Sequence, residues 1–410
     1  MKTKREKRFA NAALVIYCLA YLALVGCDAA DAVADVAEST AGVTTAAPPA
    51  RPAVDCNSDR SRITVRSGVH EIDTPALNAD RPELSADGRR LVYTIEEVTP
   101  LPFFVLSAHE VTARRHGQWS ARRLIEQGTP WVIAGTVNTW FFPTYRPDTS
   151  GLLVGLATVQ TDATGIPDFA SLRASFVNIA ESGQIIDTVL SALDVGLPFG
   201  EIPESERYAP DGRHIAFFAQ QSPADQGVYL YDVPTRTLTR LTTELDKDPM
   251  FSSDGRTIYF HHEIDDAATG LPASYTLGAL SLRSSGGPAS WARALLPAAP
   301  GLSTFEQHPV PIVGSDVLWF YAQATGDPTS PSVLAARRTC ASGRVEIGIE
   351  VDGRPIVDAK RPGAALYTRD VTFMGKFEGD VNYRIFAIDD DIVDGVTDLI
   401  EHTSCPRSVP

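Results

Sequence analysis

Three potential metal ligands stand side by side in the chain, namely His261, His262 and Glu263. Imidazole nitrogens and carboxylate oxygens are ligands that zinc takes from proteins. The apolar residues 257–260 directly before them predict a strand, and adjacent side chains of a strand point to opposite faces. At most two of the three ligands can therefore converge, so we expect neither a metal ion nor a cofactor here.

A second candidate site is acidic. The run Asp389-Asp390-Asp391-Ile392-Val393-Asp394-Gly395, together with Glu401, places Asp, Asp, Gly and Glu at positions 1, 5, 6 and 12 of a calcium-binding EF-hand loop. However, Ile392 stands where an oxygen ligand belongs, and a strand rather than a helix is predicted before the run. We favour an acidic hairpin turn, with calcium binding as the alternative.

Local motifs of catalysis are missing from the sequence. It contains no Gly-x-Ser-x-Gly nucleophile elbow, no His-Glu-x-x-His helix and no phosphate-binding loop. Loops from distant parts of the chain could still assemble a site, but no spacing rule reveals one. We therefore predict no catalytic residue, and favour a protein that is not an enzyme.

The first 27 residues carry the clearest chemistry. Five basic residues precede the uncharged run 9–25, which is typical of an export signal covering residues 1–26. The ending Leu24-Val25-Gly26-Cys27 resembles the bacterial lipobox, in which the cysteine is acylated and becomes the new N-terminus. An uncleaved transmembrane anchor is the alternative, because 17 apolar residues barely span a bilayer. Both interpretations place the protein on a membrane, and we predict lipidation of Cys27.

Three further cysteines follow Cys27, in a compartment where disulfides persist. Cys56 lies where the tether described below ends, and Cys405 follows the last predicted strand. A Cys56–Cys405 disulfide would fasten the two ends of a closed domain and leave Cys340 as a free thiol. A peptide map with Cys340 paired would overturn this assignment.

Composition defines a tether and excludes one class of partner. Residues 27–55 are rich in Ala, Asp, Thr and Pro, and they have too few large apolar side chains to form a core, so we predict a disordered tether. Removal of residues 1–26 takes away five positive charges and one negative charge, so the net charge changes from −15 to −19. Nucleic acid needs clustered Lys and Arg, so it is not the expected partner.

From residue 56 to residue 410 the pattern is all-β and repetitive. The clearest unit, Pro249-Met250-Phe251-Ser252-Ser253-Asp254-Gly255-Arg256-Thr257-Ile258-Tyr259-Phe260, recurs at 82–93 and, in its core, at 208–217. Asp-Gly supplies the positive φ of a tight turn between two antiparallel strands. Weaker copies begin at Pro143 and Pro309, and the poorest has its predicted turn at Pro362-Gly363.

Second hairpins follow most copies, as at 228–242, 175–186, 333–349 and 383–400. Two hairpins form a four-stranded sheet, which is the blade of a β-propeller. We predict a single propeller with six blades, with five or seven as alternative counts and two separate β domains as the alternative architecture. Residues 61–74, which include Ile63-Thr64-Val65, are expected to add a strand that closes the ring.

These repeats resemble those of TolB-type propellers, whose signature is Pro-x-aromatic-Ser-Pro-Asp-Gly-Arg/Lys-x-Ile-x-Phe. The resemblance implies protein recognition within a bacterial envelope complex. The chain departs from that family because it has a short tether and a lipidated cysteine in place of an N-terminal α/β domain. We therefore expect a membrane-anchored scaffold on the periplasmic or surface side that binds an envelope protein or a glycan. The alternative is a hydrolase or lyase acting on a polysaccharide or peptide at the central opening.

Overall fold

Strands dominate the part of the chain that the structure describes. The computed structural model describes residues 55–56, 62–72, 79–98, 102–112, 120–126, 131–133, 136–161, 167–180, 184–191, 204–220, 225–265, 272–283, 290–297, 305–323, 330–341 and 343–402. A single compact unit, Ala50–Pro410, contains all of them. The predicted signal 1–26, most of the predicted tether 27–55 and Cys27, the predicted lipidation site, lie outside the described residues.

Consecutive antiparallel strands form a series of sheets. Three short strands come first, β1 (Asp55–Cys56), β2 (Arg62–Val65) and β3 (Val69–Ile72). Four separate sheets follow, in which each strand pairs with the next along the chain. They consist of β4 (Ala79–Leu84), β5 (Arg90–Val98), β6 (Pro102–Thr112) and β7 (Ser120–Glu126); β8 (Trp131–Ile133), β9 (Thr136–Tyr145), β10 (Leu152–Thr161), β11 (Pro167–Ile179) and β12 (Ile185–Ser191); β13 (Glu204–Tyr208), β14 (His214–Ala219), β15 (Gly227–Asp232) and β16 (Thr237–Arg240); and β17 (Asp246–Phe251), β18 (Thr257–Asp265), β19 (Pro272–Arg283) and β20 (Ser290–Leu295).

The last sheet has ten strands and includes the N-terminal ones. Its C-terminal part consists of β21 (Glu306–Pro311), β22 (Val317–Gln323), β23 (Ser332–Arg338), β24 (Val345–Val351), β25 (Arg354–Ala364), β26 (Val371–Phe377) and β27 (Arg384–Ile388). Strand β3 pairs antiparallel with β27, and β2 pairs parallel with β24. The segment 61–74, from which one strand was predicted, therefore contributes two strands to the last sheet.

The repeated hairpins form as predicted in the three clear copies, which correspond to β4–β5, β13–β14 and β17–β18. Their turn glycines Gly88, Gly212 and Gly255 have φ values of 68°, 65° and 69°. The sixth copy differs from its prediction, because Pro362-Gly363 lies inside β25 and the turn falls at 365–370. Pro362 therefore corresponds to the proline that opens four of the other five copies.

Apolar side chains between neighbouring sheets form the core. On β10, Val154 packs in a cluster with Val92 of the preceding sheet, whereas Leu153 packs with Phe217 of the following sheet. The Phe176 and Phe217 rings meet edge to face, with centroids 5.0 Å apart. Because both faces of a middle strand are buried, the sheets stack face to face along the chain.

One helix is present in the described residues, α1 (Asp390–Glu401). The spacing of its buried residues is helical: Ile392, Val393, Val396 and Ile400. Asp390 and Asp391 lie in its first turn, where the positive end of the helix dipole stabilises their negative charges. The predicted acidic hairpin turn at 389–395, and the second hairpin predicted over 383–400, are therefore wrong beyond the strand β27. Within the described part of the chain, no helix has the length and apolarity needed to cross a membrane.

Candidate functional site

One cavity lies where six strands meet, and we name these six the inner strands. Each inner strand begins a meander of antiparallel strands, and in the second sheet the short β8 precedes the inner strand β9. The cavity has a volume of about 470 Å³, with its open solvent included. We name it the outer chamber. It is lined by residues of β4, β9, β13, β17, β21 and β25: Arg81, Pro82, Glu83, Phe142, Pro143, Ser205, Arg207, Asp248, Pro249, Met250, His308, Pro309, Arg361 and Pro362.

The same backbone irregularity shapes all six strands. Each pairing with the second strand of its meander contains a register shift, which marks a β-bulge. At each bulge one residue adopts a left-handed φ, which is uncommon for a residue other than glycine. These six bulge residues are Arg81 (54°), Phe142 (48°), Ser205 (56°), Asp248 (50°), His308 (51°) and Arg361 (49°). All six line the outer chamber, so the bulge positions the chamber's side chains.

Asp248 is at the centre of the polar groups. Its Oδ2 lies 3.0 Å from Nε2 of His308 and 3.3 Å from Nδ1 of His261. The Ser205 hydroxyl donates a hydrogen bond to Oδ1. Burial alone would raise the pKa of the Asp248 carboxyl, but the surrounding His308, His261 and Arg81 and the Ser205 hydrogen bond lower it overall. The carboxylate is therefore ionised at neutral pH.

The two histidines beside Asp248 are neutral at neutral pH. Burial lowers the pKa of His261 to about 4, which outweighs the opposing effect of Asp248. Burial also lowers the pKa of His308 well below its usual value. The His261 ring meets Tyr275 edge to face, and the His308 ring stacks on Tyr321. Aromatic packing thus holds both imidazoles against the Asp248 carboxylate.

Arginines supply the positive charge of the outer chamber. The Arg81 guanidinium lies over the Phe142 ring, 3.6 Å from its centroid. Arg207 of β13 forms an ion pair with Glu83 of β4. Strand β9 contacts both β4 and β13, so this ion pair reaches past one intervening inner strand.

Beyond Glu83 and Arg207 lies a second cavity, the inner chamber, of about 590 Å³ including open solvent. Its lining includes Tyr145, Phe251 and Leu366. The loop 365–370 spans its far end: the Tyr367 N–H donates to the Ala86 carbonyl at 2.9 Å, and the Tyr367 hydroxyl donates to the Pro210 carbonyl at 3.3 Å. This loop connects the last meander to the first and to the third.

The run His261-His262-Glu263 does not form one site. His261 faces Asp248, whereas His262 Nδ1 lies 2.9 Å from Asp246, and Glu263 accepts hydrogen bonds from Lys247 at 3.0 and 3.1 Å. The described residues contain no group of three or more His, Cys, Asp or Glu side chains with the geometry of a metal site.

The acidic run 389–395, which the sequence analysis compared with an EF-hand loop, does not form one site either, because its side chains contact different residues. Asp394 accepts a hydrogen bond from Arg369 at 3.1 Å, and Asp389 Oδ2 lies 3.0 Å from Nε2 of His70. The residues matched to loop positions 1 to 12 form helix α1. They therefore do not have the loop conformation on which the calcium hypothesis depends.

Cys56 and Cys405 are the two cysteines predicted to form a disulfide. Cys405 lies outside the described residues, and only the backbone of Cys56, in β1, is described. Cys340 is disulfide-bonded, with a partner outside the described side chains. The free thiol expected at Cys340 is therefore not present. A bond from Cys340 to either of these cysteines would exclude the predicted Cys56–Cys405 pairing.

The bulge residues escaped the sequence analysis, although a signal for five of them exists. Arg81, Phe142, Asp248, His308 and Arg361 each directly precede a proline that opens a repeat. The sixth, Ser205, precedes Glu206 instead. The turn residues recur in the three clear copies of the repeat, whereas this position holds five residue types in six copies.

Stacked four-stranded meanders whose first strands surround one cavity define a β-propeller protein. Protein-family models and curated proteins give no match to this chain. It is similar to the solved structure of a putative TolB from Agrobacterium tumefaciens, with 14% identity and a TM-score of 0.41, over 68% of this chain and 86% of that one.

Two enzymes are among the other similar structures. An oligogalacturonate lyase in complex with manganese is 11% identical, with a TM-score of 0.42, over 78% of this chain and 92% of that one. A puromycin hydrolase is 14% identical, with a TM-score of 0.42, over 81% of this chain and 52% of that one. Likenesses at this level carry no argument about activity.

Proposed function

We propose that this protein is a membrane-anchored envelope lipoprotein whose propeller binds a partner through its outer chamber, without catalysing a reaction. One observation carries the proposal: six bulges with the same backbone conformation present six side chains, of five different residue types, to one cavity. A structural role alone would not require this diversity, because the backbone is the same in each copy. Diverse side chains on a rigid frame are typical of a recognition site.

The proposed propeller has six blades. Six inner strands, each with one bulge residue in the outer chamber, support this count. In the proposed ring, the last blade consists of β25, β26, β27 and the N-terminal β3, which pairs with β27. Contact of Tyr367 in the last blade with Pro210 in the third fits a ring in which these blades lie opposite each other.

The proposed location rests on the sequence of residues 1–27. We expect signal cleavage before Cys27, acylation of its thiol and attachment to a bacterial envelope membrane on the periplasmic or surface side. Mass spectrometry of the mature N-terminus tests this proposal, since an unmodified Cys27 would exclude it. The Cys27→Ser variant is expected to leave the membrane fraction.

Capture from solubilised envelopes tests the binding role. Full-length protein is expected to retain one protein or glycan reproducibly, and Arg361→Glu in the outer chamber is expected to abolish capture. Arg256→Glu is the matched control, because Arg256 is an exposed arginine at the turn end of a repeat. Equal capture by both variants would place the binding surface elsewhere.

A hydrolase or lyase at the same cavity is the second candidate. His308 favours it, because a neutral imidazole 3.0 Å from an ionised carboxylate is an arrangement used for general bases. Turnover of a polysaccharide or peptide panel tests this candidate, with His308→Gln expected to abolish the activity and Arg256→Gln to retain it. Absence of turnover by a protein that still captures its partner would reject the enzyme.

A further inference from the structure

Two imidazoles share one carboxylate at the wall of the outer chamber. Oδ2 of Asp248 lies 3.0 Å from Nε2 of His308 and 3.3 Å from Nδ1 of His261. We name these three side chains the His–Asp cluster. Its single carboxylate balances the charge of one protonated imidazole, so two protons would give the cluster itself a net positive charge.

The His–Asp cluster joins strands of different sheets. Asp248 is on β17 and His261 on β18 of one sheet, whereas His308 is on β21 of the last sheet. Ser205 of β13, in a third sheet, donates its hydroxyl to Oδ1 of Asp248. Asp248 and His308 line the outer chamber, while His261 is buried outside the lining. A change at His261 therefore acts on the chamber through Asp248.

The surroundings of His308 disfavour a proton on its ring. Burial lowers its pKa most, and Asp248 raises it in opposition. Arg361 of β25, His261 of β18 and Arg81 of β4 lower the pKa further. The ring stacks on Tyr321 of β22. One favourable charge thus opposes burial and two arginines.

His261 is surrounded in a similar way. Burial lowers its pKa to about 4, although Asp248 opposes this effect. The other titratable groups that face it are Lys247 and Asp246 of β17, His262 beside it on β18, and Tyr275 of β19. Of these, Asp246 would favour a proton on His261, but Arg293 holds this carboxylate at 2.7 and 2.8 Å.

Acid therefore favours a conformation in which water reaches the imidazoles. A hydrated imidazole has a pKa near 6.5, whereas His261 in the closed cluster has a pKa of about 4. Between pH 7.5 and pH 5 this difference raises the population of the hydrated conformation about 25-fold relative to the closed one. The lowered pKa of His308 acts in the same direction.

We propose that the His–Asp cluster is an acid-sensitive switch of the outer chamber, in which protonation of both imidazoles frees the bulge ends of β17, β18 and β21. The second proton is decisive, because Asp248 balances only the first. This inference rests on the proposed function, since the switch releases the partner that the chamber holds. A site built from the bulge residues of six strands loses its geometry when two of these strands separate.

Hydrogen exchange of the full-length protein, read by mass spectrometry at pH 7.5 and pH 5 and corrected for the chemical exchange rate, tests the switch without a partner. At pH 5 we expect the amides of β17, β18 and β21 to lose protection about tenfold or more, while those of β10 and β26 keep it. His261→Gln has a polar side chain of similar size that takes up no proton, so it should retain protection.

Two further variants complete the exchange experiment. His308→Gln removes the other imidazole and should also retain protection, which guards against a folding defect in one variant. His214→Gln is the matched control, because His214 contacts Asp211 and Asp232 at the turn end of its strand. This control should lose protection like the wild type. In capture from solubilised envelopes, the wild type should release its partner at pH 5 and His261→Gln should keep it.

Three exchange results would overturn the switch: equal protection at both pH values, an equal loss in the wild type and in both cluster variants, or a loss spread over all strands, which indicates global unfolding. Capture separates this failure from failure of the proposed function. Acid-dependent exchange with capture unaffected by Arg361→Glu would reject the binding role and retain the switch. Capture that depends on the outer chamber but is equal at pH 7.5 and pH 5 would reject release by acid and retain the binding role.

Discussion

The two ends of the inner strands follow opposite rules. At the turn end, Asp87, Asp211 and Asp254 each accept the backbone N–H of the residue two positions later, at 3.1, 2.8 and 2.9 Å. At the bulge end, the equivalent positions hold Arg, Phe, Ser, Asp, His and Arg, all in one backbone conformation. Residues that recur in the three clear copies maintain the turn, whereas the position that varies lines the cavity. In this chain, the departures from the repeat mark the candidate site better than the repeat does.

Electrostatics separates the two ends as well. The pKa of Asp254 at the turn end is lowered by the Ser252 hydroxyl and the Arg256 N–H, both within the same turn. The Asp248 carboxyl at the bulge end is held ionised by His308 of the next inner strand and by Arg81 of the first. Turn-end charges thus depend on local geometry, and bulge-end charges on the assembly of several sheets.

The largest expected effect concerns the disulfide of Cys340, which lies in the turn directly after β23. Arg338 Nη1 donates to the Glu401 carbonyl at 3.2 Å, so the end of α1 lies beside this segment, and we expect Cys405 to be the partner. Cys340→Ala should lower the free energy of unfolding by about 2–4 kcal/mol. Denaturant unfolding measures the loss, and a non-reducing peptide map identifies the partner. A map with Cys56 joined to Cys405 would contradict this expectation.

A matched pair of glycines tests the turn end itself. Gly88 and Gly212 have the same left-handed φ, but an added Cβ at Gly88 would collide with the Asp370 carboxylate and the Thr368 hydroxyl, whereas Gly212 has open space. Gly212→Ala should lower the free energy of unfolding by about 1 kcal/mol, from backbone strain alone. Gly88→Ala should lower it by about 2–4 kcal/mol, because overpacking is added. Equal losses in urea unfolding for Gly88→Ala and Gly212→Ala would show that the loop 365–370 shifts to accommodate the added Cβ at no energetic cost.

The turn end was also the part that sequence could predict. Asp-Gly turns are local, so the hairpins at Asp87, Asp211 and Asp254 followed from neighbouring residues alone. Helix α1 was missed because the acidic run before it has the composition of a turn, although the spacing of Ile392 and Val396 is helical. A following proline marks five of the six bulge residues, but the sequence does not show that they line one cavity, because they are far apart in the chain and belong to five residue types. Only the fold brings them together.

The pH dependence of stability should differ between the two ends. The pKa of His261 is lowered to about 4 in the folded protein, so the unfolded chain, with an ordinary value near 6.5, binds its proton more readily. The contribution of neutral His261 to the free energy of unfolding is therefore complete above pH 6.5 and is lost as the pH falls towards 4. At pH 5 the free energy of unfolding should be lower by about 2 kcal/mol on this account. The turn aspartates have lowered pKa values and lose their contribution only below about pH 4.

Urea unfolding of the wild type and of His261→Gln at pH 7.5 and pH 5 measures this difference. The wild type should lose stability between these values, and the variant should lose less of it. Asp254→Asn is the turn-end control, and its loss between the two pH values should equal that of the wild type. If Asp254→Asn lost as little stability between pH 7.5 and pH 5 as His261→Gln does, the acid sensitivity would have to be assigned to the turns.

The smallest expected effect on stability comes from the turn aspartates, and it sharpens the comparison most. Asp254→Ala removes the hydrogen bonds to Ser252 and to the Arg256 N–H, and should lower the free energy of unfolding by about 1 kcal/mol. It should leave capture of the partner unchanged, because Asp254 lies outside the outer chamber. Arg361→Glu should show the reverse pattern, with capture lost, because Arg361 lines the outer chamber and takes no part in the turn. If both variants changed stability and binding together, the two ends would act as one unit, and the separation of frame from site along each inner strand would be wrong.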